Sequence, residues 1–257
     1  MTPQQTFEPV KTTSEVATGA PDKTPDRIAG MFDAIAPRYD LLNRLLSAGI
    51  DRWWRKRAID SLALTGREVL VDVATGTADV ALEACAPRRG GARAARIVGV
   101  DFARAMLALG VHKVAAAGES SRIVLVHGDA MRLPVASGSA DAVTIAFGIR
   151  NVQTPSVACA EMARALKPGG RLSILEFGVP RLPGLSGLYQ WYFKAVLPRI
   201  GRMISGHTAA YTYLPASVGT FTPPAEFARM LENAGFRDVR ADPLTIGIVY
   251  LYTARRS

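Results

Sequence analysis

The sequence is poor in the residues that build metal sites and disulfide frameworks. Its 257 residues include two cysteines and three histidines. Cys85 and Cys159 lie far apart in segments of helical pattern, which favours reduced core thiols over a disulfide. His112, His127 and His207 show no metal-ligand spacing with one another or with the cysteines. We therefore expect no metal cofactor.

Long apolar runs are also lacking. No run reaches the ~18 to 20 residues that a membrane-spanning helix needs, and the N-terminus has no secretory apolar stretch. These features predict a cytoplasmic protein. Residues 1–26 carry few large aliphatic side chains, so we expect a disordered tail there. With 49% hydrophobic residues, residues 27–257 are predicted to form one domain.

Acidic residues are fewer than basic ones. The chain has 31 Lys and Arg against 22 Asp and Glu, a formal net charge of +9. This balance favours contact with an anionic surface, either lipid headgroups or nucleic acid. Basic clusters lie at residues 52–57 and 88–96. Solvated faces of an Arg-rich protein are the alternative, and it stays open here.

Short β-branched runs alternate with helical stretches between residues 68 and 177. The runs are VLVDV, RIVGVD, RIVLVHGD, ADAVTIAF and RLSILEF. This alternation predicts βαβ crossovers and a parallel sheet with helices on both faces. LKPGGRL predicts a helix end and a tight turn ahead of the fifth strand. Two later runs, DVRAD and TIGIVYLYTA, complete a predicted α/β domain with seven mostly parallel strands.

The segment before the first strand has a helical pattern. MFDAIAPRYDLLNRLLSAGIDRWWRKRAIDSL is predicted to form an N-terminal helical cap. Pro37 is expected to separate a first short helix from a second one. Gly49 is expected to end the second, and Asp51 to cap the next.

The turn after the first strand, in VLVDVATGTADVA, argues against a phosphate-bearing cofactor. Dinucleotide sites place several glycines there so that a pyrophosphate can approach the backbone. Here Gly76 is the single glycine, and Ala74 and Ala78 replace the others. Asp72 and Asp79 add negative charge where a phosphate would lie.

Acidic residues also follow the next two strands. Asp101 ends the second strand, where a carboxylate suits the two hydroxyls of a ribose. Asp129 follows the third strand and is placed to meet an adenine amino group. Asp72 suits a positively charged ligand. S-adenosylmethionine fits this set, since it has an adenosine, a sulfonium and an ammonium but no phosphate. The alternative is that these acids only cap helices and turns.

Together the motifs resemble the quinone-biosynthesis C-methyltransferases. The resemblance rests on DVATGTAD, VGVDFARAML, GDAMRLP, FGIRNV, LKPGGRLSILEF and YTYLPASVGTF, and it runs from about residue 31 to residue 252. It implies a single-domain, Rossmann-like class I methyltransferase that uses S-adenosylmethionine to C-methylate demethylmenaquinol. The alternative substrate is 2-methoxy-6-polyprenyl-1,4-benzoquinol of ubiquinone synthesis.

Two other classes of function remain as alternatives. The positive charge suggests a nucleic-acid methyltransferase, but no RNA-binding module or base-flipping motif is recognised. We therefore expect no nucleic-acid partner. A protein that binds the donor or a membrane without catalysis is the other class, and the presence of the donor-contact acids speaks against it.

The resemblance also implies a set of donor-binding residues. Some family members have a serine just before the FG of FGIRNV, and Ala146 stands there in this chain, which leaves a backbone contact. With Asp72 included from its charge, the predicted donor-binding residues are Asp72, Thr77, Asp101, Asp129, Ala130 and Ala146.

Three residues are predicted to act on the substrate. Arg150 is expected to stabilise a phenolate or orient a water molecule, and Asn151 to hold the quinol oxygen. Tyr39, next to Asp40, is expected to cover the donor pocket and exclude water. The alternatives are that Arg150 and Asn151 only fasten a loop and that Tyr39 only packs in the core.

A lid insertion is predicted over about residues 183–222. Within it, LYQWYFKAVLPRIGRMI suits an interfacial helix that shields a polyprenyl chain and contacts anionic lipid at the inner face of the membrane. The alternative is an ordinary lid helix. Tyr211 and Tyr213 are either lid or core residues, and His207 is either a base or solvated. The oligomeric state stays open, with a homo-oligomer as one alternative.

Overall fold

The structure is a computed structural model that describes residues 22–86, 94–179 and 208–257. The side chains of Leu46 and of residues 208–212 are outside this description. The predicted disordered tail lies mostly outside it, as do the predicted interfacial helix, His207 and the side chain of Tyr211. Much of the predicted lid is therefore outside the described residues.

One sheet of seven strands organises the described part of the chain, in the order β3-β2-β1-β4-β5-β7-β6. The first five strands run parallel, and β7 is antiparallel to β5 and β6. The predicted seven-stranded, mostly parallel sheet is confirmed. The strands are β1 Val69–Val73, β2 Arg96–Asp101, β3 Ile123–His127, β4 Ala140–Ala146, β5 Leu166–Phe177, β6 Phe236–Leu244 and β7 Val249–Arg256.

Helices cover both faces of this sheet. In the described residues they are α1 Pro25–Leu46, α2 Asp51–Ser61, α3 Asp79–Cys85, α4 Arg104–Ala116, α5 Pro155–Ala165, α6 Thr208–Gly219 and α7 Pro224–Asn233. None of the helices in these ranges is both long enough and apolar enough to cross a bilayer.

The central strand β1 is apolar on both faces because it lies between two hydrophobic layers. Leu70 packs in a cluster with Ala81 of α3 and Val114 of α4. Its neighbour Val71 belongs to a second cluster with Met162 of α5. Since successive strand residues point to opposite faces, the run VLVDV can form a buried strand but not a half-exposed one.

The predicted break at Pro37 is wrong. α1 is one helix of 22 residues with Pro37 inside it, and it begins with a proline at residue 25. Pro37 cannot donate the helical hydrogen bond, at a cost of about 3 kcal/mol. Burial of Ile35, Ala36 and Leu42 on the inner face offsets this cost.

Three smaller expectations also need correction. Asp51 is the first residue of α2 and makes no capping hydrogen bond, because its carboxylate bonds Ser47 and Arg55 instead. The LKPGGRL turn lies inside β5, where the register with β4 shifts. Thr245–Gly247 forms a 3-10 turn ahead of β7 instead of joining the strand.

Both cysteines lie in the core. Cys85 is the last residue of α3 and Cys159 lies in α5. Burial raises the pKa of Cys159 to about 12, so its thiol is protonated and unreactive at neutral pH.

Candidate active site

The carboxyl ends of the parallel strands bring most of the predicted donor residues to one edge of the sheet. Asp72 lies one residue before the end of β1, and Asp101 and Ala146 are the last residues of β2 and β4. Asp129 and Ala130 follow β3. β1 lies between β2 and β4, so the strand order reverses there. Ligands of open α/β sheets bind at such a reversal.

The turn after β1 has an unusual backbone. Ala74, Gly76 and Ala78 all have positive φ angles, of 51°, 56° and 68°. The left-handed region costs roughly 1 to 2 kcal/mol for a residue with a Cβ, so the two alanines are strained. The backbone nitrogen of Gly76 donates to Asp101 Oδ2 at 2.8 Å, which ties the turn to the end of β2.

Open space lies in front of this turn. A Cβ built on Gly76 meets no atom within 4 Å. By contrast, a Cβ on Gly148 would lie 2.5 Å from the Cβ of Ala74, so the turns after β1 and β4 touch only because residue 148 is glycine. The turns after β1 and β4 thus pack against each other at the end of the sheet, and we name the open space in front of Gly76 the cleft.

Two buried carboxylates lie at the cleft. Asp72 is 1% exposed and accepts a hydrogen bond from Thr75 Oγ1 at 2.6 Å. Burial, helped by the nearby charge of Asp101, raises the pKa of Asp72 to about 7. Burial also raises the pKa of Asp101. Within the described residues neither carboxylate forms a salt bridge, so a cationic ligand would stabilise both.

These carboxylates fit S-adenosylmethionine. Both oxygens of Asp101 accept backbone N–H groups, from Gly76 and from Ala103 at 2.8 Å, and each keeps a lone pair for a hydroxyl. The turn has one glycine and follows Asp72, a carboxylate without a salt bridge in the described residues, which disfavours a pyrophosphate and favours a sulfonium, whereas Asp79 at its other end is paired with two basic side chains.

Asp129 shapes the loop after β3. Its Oδ1 accepts from the backbone nitrogen of Met131 at 2.8 Å, and its carbonyl accepts from Arg132 at 3.0 Å. The loop is joined to β2, because Gly128 donates to the carbonyl of Asp101 at 2.9 Å. Asp129 and Ala130 are half-buried beside the predicted ribose site. The alternative that Asp129 forms a turn is thus correct for one of its oxygens.

A group of polar side chains, which we name the α1 clamp, joins the N-terminal helices to the turn after β1, which we call the donor turn. Its members are Asp40, Arg55, Thr77, Asp79 and Lys113. Thr77 donates to Asp40 Oδ1 at 2.7 Å, and Lys113 Nζ lies 2.7 Å from Asp40 Oδ2 and 3.0 Å from Thr77 Oγ1. Lys113 also pairs with Asp79, whose other oxygen lies 3.2 Å from Arg55. The clamp therefore joins α1, α2, α3 and α4 at Thr77.

The clamp limits what Thr77 can offer a ligand. Its hydroxyl donates a hydrogen bond to Asp40, and its oxygen accepts one from Lys113. Thr77 can therefore contact the methyl donor only through its backbone. The sequence analysis singled out Thr77, Asp40 and Asp79 separately, and it missed Lys113 and Arg55, whose helical positions carry no local signal.

Tyr39 packs in the core between α1 and the start of α4, as the alternative interpretation of the sequence expected. Its ring meets Phe32 edge to face at 6.0 Å and packs against Ala103 and Met106 at the start of α4. Burial raises the pKa of its hydroxyl. Asp33 accepts from the backbone nitrogen of Ala105 at 2.8 Å and so caps α4. α1 therefore lies over the end of β2.

Arg150 lies in the 3-10 turn Ile149–Asn151 after β4 and pairs with Glu176 of β5. Its Nη1 lies 2.7 Å from Glu176 Oε1, and its backbone nitrogen donates to Oε2 at 3.1 Å. Phe177 donates its backbone N–H to Oε1 at 2.8 Å, and its ring centroid lies 5.2 Å from the guanidinium carbon. Glu176 is completely buried. The guanidinium thus has a fixed position.

Three buried polar atoms near this pair make no hydrogen bond in the described structure. They are Nε of Arg150, Oδ1 of Asn151 and the hydroxyl of Tyr213. Burial raises the pKa of Tyr213, and the charges of Arg150 and Glu176 also act on that pKa. Tyr213 therefore lies near the Arg150–Glu176 pair. An unsatisfied buried polar group costs about 1 to 3 kcal/mol, which a bound ligand would recover.

Glu176 was missed by the sequence analysis although a signal exists. It stands in ILEF, as one acid among apolar residues at the buried end of β5. A buried acid almost always has a partner, so its position predicts a basic neighbour. The partner itself could not be named, because Arg150 lies on a different strand end.

The α1 clamp gives a testable expectation at Lys113. Replacing Lys113 with methionine should leave Asp40 and Asp79 without their shared cation and weaken binding of S-adenosylmethionine by about tenfold. Titration calorimetry measures this. Lys167→Met is the matched control, because Lys167 pairs with Asp141 at 2.6 Å at the other end of the sheet. Equal donor affinity in the two variants would show that the clamp does not position the donor turn.

Comparison with known proteins agrees with this geometry. Residues 21–256 match the model of the ubiE/COQ5 methyltransferase family. A ubiquinone/menaquinone biosynthesis C-methyltransferase of Syntrophotalea carbinolica is 52% identical over 88% of this chain and 93% of its own. A demethylmenaquinone methyltransferase of Deinococcus radiodurans is 48% identical over 86% of this chain and 89% of its own.

A solved structure shows the same fold. A methyltransferase of Thermotoga maritima superposes with a TM-score of 0.61 at 17% identity, over 90% of this chain and all of that one. The fold is thus that of the Rossmann-like methyltransferases. By its sequence match, the chain belongs to the ubiE/COQ5 methyltransferase family and is an S-adenosylmethionine-dependent methyltransferase.

Proposed function

We propose that the chain transfers a methyl group from S-adenosylmethionine to a ring carbon of a demethylmenaquinol, a step of menaquinone biosynthesis. The observation that carries the proposal is that, in the described part of the chain, two buried carboxylates without a salt bridge and three buried polar atoms without a hydrogen bond lie at the same edge of the sheet. Asp72 and Asp101 lack a cation, and Arg150, Asn151 and Tyr213 have polar atoms without partners. The name of the Deinococcus radiodurans relative supports menaquinol as the substrate.

The donor would be held by the ends of β1 to β4. Asp101 would accept the ribose hydroxyls, and Asp129 with Ala130 would meet the adenine. Asp72 would lie toward the cationic end, and Thr77 and Ala146 would contribute backbone contacts. When bound, S-adenosylmethionine supplies an activated methyl group on a sulfonium.

The residues around Arg150 would act on the quinol. Asn151 Oδ1 is an acceptor and would take the hydrogen bond of a quinol hydroxyl. Arg150 Nε is a hydrogen-bond donor and would stabilise the oxygen as its proton passes to a water molecule on the quinol side, which makes the ring carbon electron-rich. That carbon would take the methyl group as S-adenosylhomocysteine leaves, and loss of its own proton to water would restore the quinol. Glu176 already neutralises the charge of Arg150, so Arg150 would not bind a quinol anion tightly. Its contribution to the rate would come from the fixed position of its hydrogen-bond donor.

Water must be kept from this reaction. α1 lies over the cleft through the α1 clamp and through Tyr39, which is packed against α4. Tyr39 would therefore exclude water from the sulfonium.

The substrate brings the protein to a membrane. A polyprenyl quinol resides in the bilayer, so we propose a cytoplasmic protein that binds peripherally to the inner face of an anionic membrane. The formal charge of +9 favours such contact.

Transfer of labelled methyl groups tests the substrate. Purified protein with labelled S-adenosylmethionine should label reduced demethylmenaquinone. Label in the 2-methoxy-6-polyprenyl-1,4-benzoquinol would assign the ubiquinone step, which the name of the Syntrophotalea carbinolica relative also covers. Label in RNA and in neither quinol would reject the proposal. Oxidised demethylmenaquinone is the control, because without a hydroxyl to deprotonate it should stay unlabelled.

A further inference from the structure

The corner between α1 and α2 exposes a group of large apolar side chains. Leu41, Leu45, Ile50 and Trp53 are between 40% and 53% exposed. They lie on the last turns of α1, in the connection and on the first turn of α2. We name residues 41–57 the α1–α2 corner. Such a concentration marks an interaction surface, since scattered single apolar residues are the ordinary pattern.

Five other large apolar side chains in the described residues are exposed, and two of them, Val179 after β5 and Ile246 in the turn before β7, lie on the connections at the ends of those strands. Val111 lies on α4, Val124 on β3 and Val157 on α5. Each stands on a different element, so these three provide comparison sites of similar exposure without a cluster.

The charges of the α1–α2 corner are separated by sign. Arg44, Arg52 and Arg57 are exposed. Asp51 is buried against Arg55, and Lys56 and Asp60 pair with each other at 2.6 Å. The corner therefore presents arginines beside apolar side chains, while its one acid, Asp51, is buried and paired with Arg55. This charge distribution is complementary to an anionic surface.

The inner face of the corner is firmly attached to the domain. Trp54 is buried, and its indole nitrogen donates to Thr245 Oγ1 at 2.8 Å. Arg55 joins the corner to the α1 clamp, which also holds Thr77 of the donor turn. A partner bound at this corner would thus be separated from the cleft by a single layer of helices.

We propose that the α1–α2 corner is the surface by which the protein docks on an anionic lipid bilayer. The inference rests on the proposed function, because a polyprenyl quinol must be reached from the membrane. Trp53 lies at the level of the headgroups, and Leu41, Leu45 and Ile50 enter the boundary of the acyl chains. Each arginine strengthens binding to acidic lipid about fivefold.

Vesicle co-sedimentation tests the surface. The full-length protein should bind vesicles of phosphatidylglycerol and phosphatidylcholine more tightly than vesicles of phosphatidylcholine alone. The double variant Leu45→Ser and Trp53→Ser should bind both at least about tenfold more weakly. The triple variant Arg44→Gln, Arg52→Gln and Arg57→Gln should lose the preference for phosphatidylglycerol. The double variant Val111→Ser and Val124→Ser is the matched control and should bind as the wild type does.

Two outcomes would overturn the proposal. One is that the corner variants bind vesicles as well as the valine control does. The other is that the corner is covered by a second copy of the chain, which sedimentation velocity would show as a wild-type dimer that the corner variants dissociate.

Activity separates this inference from the proposed function. On a water-soluble, short-chain demethylmenaquinol the corner variants should keep wild-type turnover, and on quinol embedded in vesicles they should lose at least about tenfold. Equal turnover with the wild type on embedded quinol would count against the corner as the docking surface. Absence of turnover on every quinol would reject the proposed substrate, while vesicle binding would still decide the docking surface.

Discussion

Replacing Glu176 with methionine is expected to lower kcat by at least about 100-fold and the free energy of unfolding by about 3 to 5 kcal/mol. In the wild type Arg150 Nη1 lies 2.7 Å from Glu176 Oε1. The variant leaves this buried guanidinium without a carboxylate. An unpaired buried cation is unstable, so Arg150 would turn toward water and leave the quinol site. Methyl transfer and denaturant unfolding measure the two effects.

A double variant separates the role in folding from the role in catalysis. Arg150→Met with Glu176→Met removes both charges and fills the same volume, so we expect most of the stability to return. Activity should stay lost, because the Nε donor is gone. The affinity for S-adenosylmethionine should change little in either variant, since neither residue lies at the donor carboxylates. A double variant that recovers both stability and turnover would contradict a function of Arg150 in the reaction.

Replacing Asp72 with asparagine is expected to stabilise the donor-free protein and to weaken donor binding by about 10- to 100-fold. The stabilisation follows from the pKa of Asp72, which burial raises from 3.8 to about 7. In the folded protein the carboxyl keeps a proton that the unfolded chain releases. The free energy of unfolding therefore falls as the pH rises from about 4 to 7, by up to about 4 kcal/mol. Asparagine has no charge to bury and removes this loss.

The effect of pH on donor binding has the opposite sign. A cationic donor prefers the ionised form of Asp72, so donor affinity of the wild type should rise as the pH increases toward and above 7. The asparagine variant should lack this part of the dependence. Thermal melts at pH 5 and pH 8 and calorimetry at both values measure the two effects. A wild type more stable at pH 8 than the asparagine variant would contradict the assignment.

Asp141→Asn is the control for the stability measurement. Burial raises the pKa of Asp141, but hydrogen bonds from Lys167 and Val69 outweigh it and hold the pKa below its ordinary value. Asp141 thus contributes stability above that value and loses it as the pH falls. The asparagine variant at this position should be less stable than the wild type at neutral pH, and its donor affinity should be unchanged.

Much of the fold could be predicted because local sequence and packing agree. The runs VLVDV and ADAVTIAF are apolar on both faces, which suits a central parallel strand and little else. The acids at the carboxyl ends of the first three strands lie at one edge because these strands are parallel. Pro37 was misjudged because a local rule was applied where burial of the flanking residues outweighs it.

By itself, the sequence determined the order of strands and helices, the family, and the edge of the sheet that carries the acids, since all of these depend on neighbours along the chain. The tertiary structure alone decided which charges meet. Glu176 faces Arg150 and Lys113 joins Asp40 to Asp79 only because separate elements converge, and burial then raises the pKa of Asp72. Such pairings depend on distances in space and on exclusion of water, and neither is recorded in the spacing of residues along the chain.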